Sequence, residues 1–214
     1  METFKAQKTT RWWWIRHAPV PQLADRIYGS TDPDADVSDV QRFTLLAQSL
    51  PPQAVWVVSS LRRTHQTAKA IEAAGYALPE LIVEPGFIEQ NFGALHGVLH
   101  VEHETARTDP FRDIWPTPPD VTPPGGESFV DVMSRVAAAV ERLSEHHRGR
   151  DIVCIGHGGS IRAAVAHALG LSPVQALSLS FKNLTLTRLQ QLHSVMDGGP
   201  SWQVLGFNEG LMPL

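Results

Sequence analysis

The stretch Trp12-Trp13-Trp14-Ile15-Arg16-His17-Ala18-Pro19 constrains this chain more than any other. Four bulky apolar residues in succession leave no face for water, so the run predicts a strand buried on both sides, as in the interior of a parallel sheet. Pro19 cannot donate to a ladder and ends the strand. Arg16 and His17 therefore stand at its carboxyl end, the edge where open α/β sheets bind ligands. The pattern returns in Ile152-Val153-Cys154-Ile155-Gly156-His157-Gly158-Gly159. Two parallel strands that end this way bring His17 and His157 to one rim.

The remaining pattern supplies the other layers. A loop over 18–37, rich in Pro, Asp and Gly, precedes a helix from about Ser38, with Val40, Phe43, Ala47 and Leu50 on one face. Residues 54–59 read as a buried strand, followed by a helix carrying Ala68, Ile71 and Ala74 and closed by Gly75. Residues 81–83 read as a third strand and 98–107 as a short helix. The segment 108–126 is proline-rich and ends in Gly125-Gly126, which excludes regular structure and predicts a lid or surface loop. The longest helix runs from Ser128 to about His147, with a stripe of Phe129, Met133, Val136, Val140 and Leu143. Strand 151–156, helix 159–169 and a short helix opened by Ser172-Pro173 follow. Residues 181–189 and 201–207 alternate as strands around a turn at Asp197-Gly198-Gly199. This order predicts a single α/β domain over 1–214: a three-layer α/β/α sandwich with a mostly parallel sheet and one antiparallel strand.

Composition sets limits on partners. A formal net charge of −4 gives no global attraction to nucleic acid or to an anionic membrane. Cys154 is the single cysteine, so no intrachain disulfide forms, and it reads as plain core. Residues 1–10 lack an apolar signal core, and no run approaches the ~18 residues of a membrane span. The expected address is cytoplasmic. The oligomeric state stays open, a homodimer being one option.

At the rim, Arg16 offers a permanent charge and a planar fork suited to phosphate or carboxylate oxygens. Beside it, His17 is disfavoured as imidazolium, and a neutral imidazole is a nucleophile. A fixed cation also disfavours a metal held by His17 and His157. At ~4 Å and an effective dielectric near 20, one unit-charge repulsion is about 4 kcal/mol, and a divalent ion roughly doubles it. Arg62 and Arg63 lie at the start of a helix, where a cation opposes the helix dipole and exposed N–H groups favour an anion. Either could serve that anion. Gly158 and Gly159 let backbone approach a ligand at another helix start. Glu89 is the carboxylate placed in irregular chain past a strand, where it can act as a general acid.

Together, Arg16-His17, SSLRRTHQTA at 59–68, Glu89 ahead of FGALHG, PPGGESF at 123–129 and GHGG at 156–159 are similar to the motifs of the histidine phosphatase superfamily, in the family's order and over residues 11–170. The resemblance implies a phosphoglycerate mutase-like fold and a metal-independent phosphomonoesterase with no cofactor. Its partner is a small-molecule phosphate monoester. His17 becomes phosphohistidine. Arg16, Arg63, His157 and Gly158 hold the phosphoryl oxygens, and Glu89 is the general acid and then the base. The family's arginine lies four residues before the Thr of the QTA segment, which selects Arg63 over Arg62.

The chain departs from the family in two places. Ala18 replaces the usual glycine after Arg-His, and Val37-Ser38-Asp39-Val40-Gln41 replaces Leu-Ser-x-x-Gly. The stretch between the acid and the long helix carries only Arg107 and Arg112 as basic residues, sparse for a mutase. The nearest branch is that of α-ribazole and broad-specificity phosphatases, which implies a substrate like α-ribazole-5'-phosphate. Trp115 and Phe111 would suit a substrate with an apolar or aromatic part. A mutase-type phosphotransferase and a catalytically silent phospho-ligand binder are the alternatives. His96, His100 and His103 are spaced for one helical face, but exposed histidines explain them better than a metal site. Tyr28 and Gly29 are placed to border the site, and His65 to line it or face solvent.

Overall fold

The computed structural model describes residues 9–193 and 201–210. Among these residues six strands form one sheet: β1 (Thr9–Arg16), β2 (Val55–Val58), β3 (Leu81–Val83), β4 (Asp151–Gly156), β5 (Leu186–Leu192) and β6 (Ser201–Glu209). Their order is β3-β2-β4-β1-β5-β6. The pairs β3–β2, β2–β4 and β4–β1 are parallel, whereas β5 is antiparallel to both β1 and β6. Strand β5 alone therefore runs against the other five, as expected from sequence.

The period-2 alternation of the central strands sorts the core into two layers. Trp12, Trp14, Val55, Val57, Ile152 and Cys154 face α4 (Phe129–His146) and α5 (Gly158–Leu169). Ile15, Trp56, Val58, Val153 and Ile155 face α1 (Val40–Ser49) and α2 (Arg62–Ala73). Trp12 and Trp14 stack with ring centroids 5.2 Å apart, and Phe87 meets both edge-on. Trp13 is only half-buried. Its Nε1 donates to Asp151, and the Arg188 guanidinium covers its ring.

The start of α4 is fixed by a capping box, with Ser128 accepting from the Asp131 N–H and Asp131 accepting from the Ser128 N–H. The remaining helices are short: α3 (His100–Thr105) and α6 (Pro173–Leu177). None among the described residues is long and apolar enough to cross a membrane.

Three expectations need correction. Val40, the first residue of α1, is 68% exposed, and the buried stripe is Phe43, Leu46 and Leu50. The helix predicted over 98–107 is confined to α3. The strand predicted from 181 begins at 186, because Leu184 turns the chain with φ 56° after Asn183. The turn expected at 197–199 lies outside the described residues.

Trp14 Nε1 is buried with no hydrogen-bond partner among the described residues, whereas Trp12 Nε1 donates to buried Ser144. Truncating Trp14 to alanine is expected to cost about 3–5 kcal/mol of unfolding free energy. In urea titrations Trp14→Phe should cost less than Trp12→Phe by about 1 kcal/mol, since only the latter orphans a buried hydroxyl.

Candidate active site

Strands β1 and β4 are neighbours in register, Arg16 opposite Gly156. The next residues, His17 and His157, therefore emerge side by side at the carboxyl edge, and the His17 N–H donates to Gly156 O at 3.0 Å. Their rings lie 5.1 Å apart.

Arg63, from the first turn of α2, enters between them and is fully buried. Its Nε lies 3.2 Å from His17 Nε2 and 3.2 Å from His157 Nδ1. Its terminal nitrogens donate to Thr31 O at 2.6 Å and Gly29 O at 2.7 Å, and Tyr28 lies beneath the guanidinium. Gly29 is required there: its φ is 40°, and a Cβ would stand 2.5 Å from Gln90 O.

These donors fix the tautomers. His17 Nδ1–H donates to Ala18 O at 2.6 Å, which leaves the Nε2 lone pair facing Arg63. His157 accepts from Arg63 at Nδ1 and donates from Nε2 to Ser59 Oγ at 2.7 Å. Burial, then Arg63, then Arg16 hold His17 well below the usual histidine range. Burial and then Arg63 do the same for His157. Both rings are thus neutral at physiological pH. The sequence argument credited Arg16 with this effect, but Arg16 is third in size.

Arg62 points elsewhere. It is paired with Asp32 and Asp34 at 3.1 Å each and is mostly exposed, so it ties the 18–37 loop to α2. The identity of the inward arginine, open on residue type alone, is decided by the helix phase: Arg63 is on the buried face and Arg62 is not. Thr67, one turn further on the same face, accepts from the Ala18 N–H and donates to Arg63 O. Ala18 is fully buried with ordinary backbone angles, so alanine fits where the family has glycine.

Glu89 is buried beside the N-terminus of α5. The Gly159 N–H donates to its two oxygens at 3.0 and 3.2 Å, and the Gln90 N–H donates at 2.9 Å. Arg16 Nη1 donates to Phe181 O at 2.6 Å, and Asn183 donates to His17 O, so the turn before β5 braces the end of β1. The structure thus gathers His17, His157, Arg16, Arg63, Glu89 and Gly158 on one rim.

Outside this rim lies a cavity of about 430 Å³. Arg16 and Glu89 of the rim line it together with Tyr28, Phe92 and Trp115. The 108–126 segment, irregular as expected, supplies Ile114, Trp115 and Pro116 to that wall. Arg107 is engaged by Asp109 and by the Trp115 and Pro116 carbonyls. Phe111 packs against the core instead of lining the cavity. His100 and His103 line the cavity from α3, whereas His96 precedes the helix and accepts from the Phe92 N–H. Among the described residues no group of three or more His, Cys, Asp and Glu is placed to hold a metal ion. His65 donates to Ser59 O and so steadies the partner of His157.

Sequence reasoning missed Ser59, Asn183 and Arg162. Arg162 Nη1, Glu89 Oε2 and Arg16 Cζ crowd the space where a Cβ on Gly158 would stand, at 3.1, 3.7 and 3.8 Å, and the Arg162 guanidinium stacks 4.5 Å from the Trp115 ring centroid. A signal was available: a lone cation among Ile161, Ala163, Ala164 and Val165 near a helix start, the same oddity that pointed to Arg62 and Arg63. Ser59 and Asn183 carry no such signal, because their importance comes from partners 98 and 166 residues away.

Comparison with known proteins gives the family and the fold. The model of the histidine phosphatase superfamily (branch 1) matches residues 12–203. A bifunctional protein of Mycobacterium tuberculosis is 33% identical over 137 residues, which are 64% of this chain but only 34% of that protein. A metal-independent phosphoserine phosphatase of Arabidopsis thaliana is 28% identical over 155 residues, 70% of this chain and 64% of its own length. The chain therefore spans less than two thirds of either relative. Among solved structures, a mycobacterial glucosyl-3-phosphoglycerate phosphatase superposes with a TM-score of 0.77 at 26% identity, covering 94% of this chain and all of that one. With its paired histidines, inward arginine and buried glutamate on a shared sheet edge, the chain belongs to branch 1 of the histidine phosphatase superfamily.

Proposed function

We propose that the chain, as one domain, is a phosphomonoesterase that hydrolyses a small phosphorylated metabolite through a phosphohistidine on His17. The observation that carries this reading is the neutral His17, whose Nε2 lone pair is held toward the buried Arg63 guanidinium beside His157, so that a phosphoryl group drawn to Arg63 meets it. A phosphoryl group there meets the guanidinium of Arg63, that of Arg16 and the Gly158 N–H at the start of α5. Such donors are already oriented toward the equatorial oxygens before the reaction begins.

In the first step the Nε2 lone pair attacks phosphorus, and the bond to the ester oxygen breaks. That oxygen leaves with the electron pair and takes the proton of Glu89. The Nδ1–H bond to Ala18 O stabilises the imidazolium that results. Water then attacks phosphorus and gives its proton to the Glu89 carboxylate. The N–P bond breaks, its pair returns to Nε2, and the cycle closes. The named phosphatases among the relatives support phosphate ester hydrolysis. They lend no support to a ribazole phosphate as substrate.

Rapid-quench labelling with a ³²P phosphate monoester tests this directly. Acid-labile, base-stable label on His17 that decays at the rate of phosphate release is the expected result, absent in His17→Ala. Turnover without label would overturn the covalent route.

Glu89→Gln should lower kcat/KM for alkyl phosphates by roughly 10²–10⁴-fold. p-Nitrophenyl phosphate, whose leaving group needs little protonation, should lose far less; equal losses would count against the acid role. Replacing Arg63 by alanine should cost about 10²–10³-fold in kcat. Arg62→Ala, which removes exposed ion pairs, should cost at most about fivefold.

A further inference from the structure

Gln90 follows Glu89 in the chain and is fully buried. A buried amide is costly unless its polar atoms find partners. Here both ends are matched, and by two separate segments. Oε1 accepts from Trp115 Nε1 at 2.7 Å, and Nε2 donates to Glu127 O at 2.9 Å. The Gln90 backbone N–H donates to Glu89 Oε1 at 2.9 Å. One residue thus joins the carboxylate of Glu89, the irregular 108–126 segment and the chain just before α4.

The two anchors are held in different ways. The Glu127 carboxylate takes the Arg135 guanidinium at 2.8 and 3.0 Å and the Asn91 N–H at 3.0 Å. Arg135, on α4, also donates to Gly86 O at 2.7 Å and Ile88 O at 2.8 Å. The chain on both sides of Glu89 is therefore tied to a long helix. Trp115 stands in irregular chain and is held by its ring, which packs 5.8 Å from Phe92 and 5.9 Å from Phe129 between centroids. The Gln90 bond is what fixes the indole N–H within that packing.

These bonds bear on the two oxygens of Glu89 unequally. Oε1 receives two N–H groups, Gln90 at 2.9 Å and Gly159 at 3.0 Å. Among the described residues Oε2 has only the 3.2 Å approach of the Gly159 N–H. The less engaged oxygen is the one free to carry a proton. Which oxygen that is depends on the direction of the Gln90 N–H, and the side-chain amide holds that residue in place from two sides.

We propose that Gln90 is a positioning residue for the general acid: its amide, pinned between Trp115 and Glu127, holds the N–H that occupies Glu89 Oε1 and so leaves Oε2 to protonate the leaving oxygen. This rests on the phosphatase reading, since ester cleavage is the step that uses the acid. A misplacement of about 1 Å at a reacting group costs on the order of 10²-fold, so loss of these bonds is felt in proton transfer.

The test compares benzyl phosphate with p-nitrophenyl phosphate, which share a ring but differ in how much the leaving oxygen needs a proton. The readout is the ratio of their kcat/KM values, because kcat/KM reads the first, acid-assisted step. Gln90→Met keeps the side-chain volume and removes both amide bonds. It should lower the benzyl-to-nitrophenyl ratio by roughly 10–100-fold. In a Glu89→Gln background the same substitution should move the ratio less than about twofold, because no acid is left to misplace. Trp115→Phe removes the indole N–H and keeps a ring in its packing. It should shift the ratio the same way by roughly 2–10-fold, and it decides the matter if Gln90→Met does not fold. An unchanged ratio, or a fall of the same size with and without the Glu89 carboxyl, would overturn the positioning role and leave the phosphatase reading intact. A wild type that turns over neither ester would overturn both.

Discussion

The buried guanidinium of Arg63 is the constraint around which the site is built. It carries a full charge away from water with neutral acceptors only: two loop carbonyls and the lone pairs of two imidazoles. No carboxylate pairs with it among the described residues, so its field is left over for a ligand. That field and burial keep both histidines neutral. A basin so arranged favours a dianion and opposes a second cation by several kcal/mol at contact distance.

The fold meets this constraint with backbone geometry. Parallel register between β1 and β4 sets the two histidines side by side, and the starts of α2 and α5 bring Arg63 and Gly158–Gly159 to the same edge. The 18–37 loop must then lend its carbonyls to Arg63, which is why Arg62 clamps it through Asp32 and Asp34. Ser59 and His65 form an outer support: Ser59 Oγ receives the His157 Nε2–H left by the Arg63 bond to Nδ1, and His65 holds the Ser59 carbonyl.

The site divides into two regions. The rim proposed to hold the phosphoryl group draws on strand ends and helix starts, the rigid parts of the chain. The cavity outside it draws on Tyr28, Phe92 and Trp115, from loops that the sheet does not dictate. Loops on a fixed scaffold are where related enzymes part company in substrate. Arg162 stands at the junction, on a rigid helix but in contact with the loop residue Trp115.

Local sequence was enough where chemistry and periodicity coincide. The run from Trp12 to His17 and its counterpart from Ile152 to Gly159 determined two buried strands, their direction and the histidines at their ends, because an unbroken apolar run has one solution in an α/β chain. Glu89 and Arg63 needed the family's spacing, since a surface glutamate or a solvent-facing arginine reads the same locally. Period alone also misplaced the start of β5, because a single positive φ at Leu184 leaves the alternation of side chains unchanged. Tertiary structure alone decided that Arg63 is shared by two imidazoles, that Ser59 and Asn183 belong to the site, and that Arg162 lies on Trp115 close to Glu89. The reason is physical: burial, tautomer and unmet charge are set by groups far away in the chain, and no short stretch of sequence contains both partners.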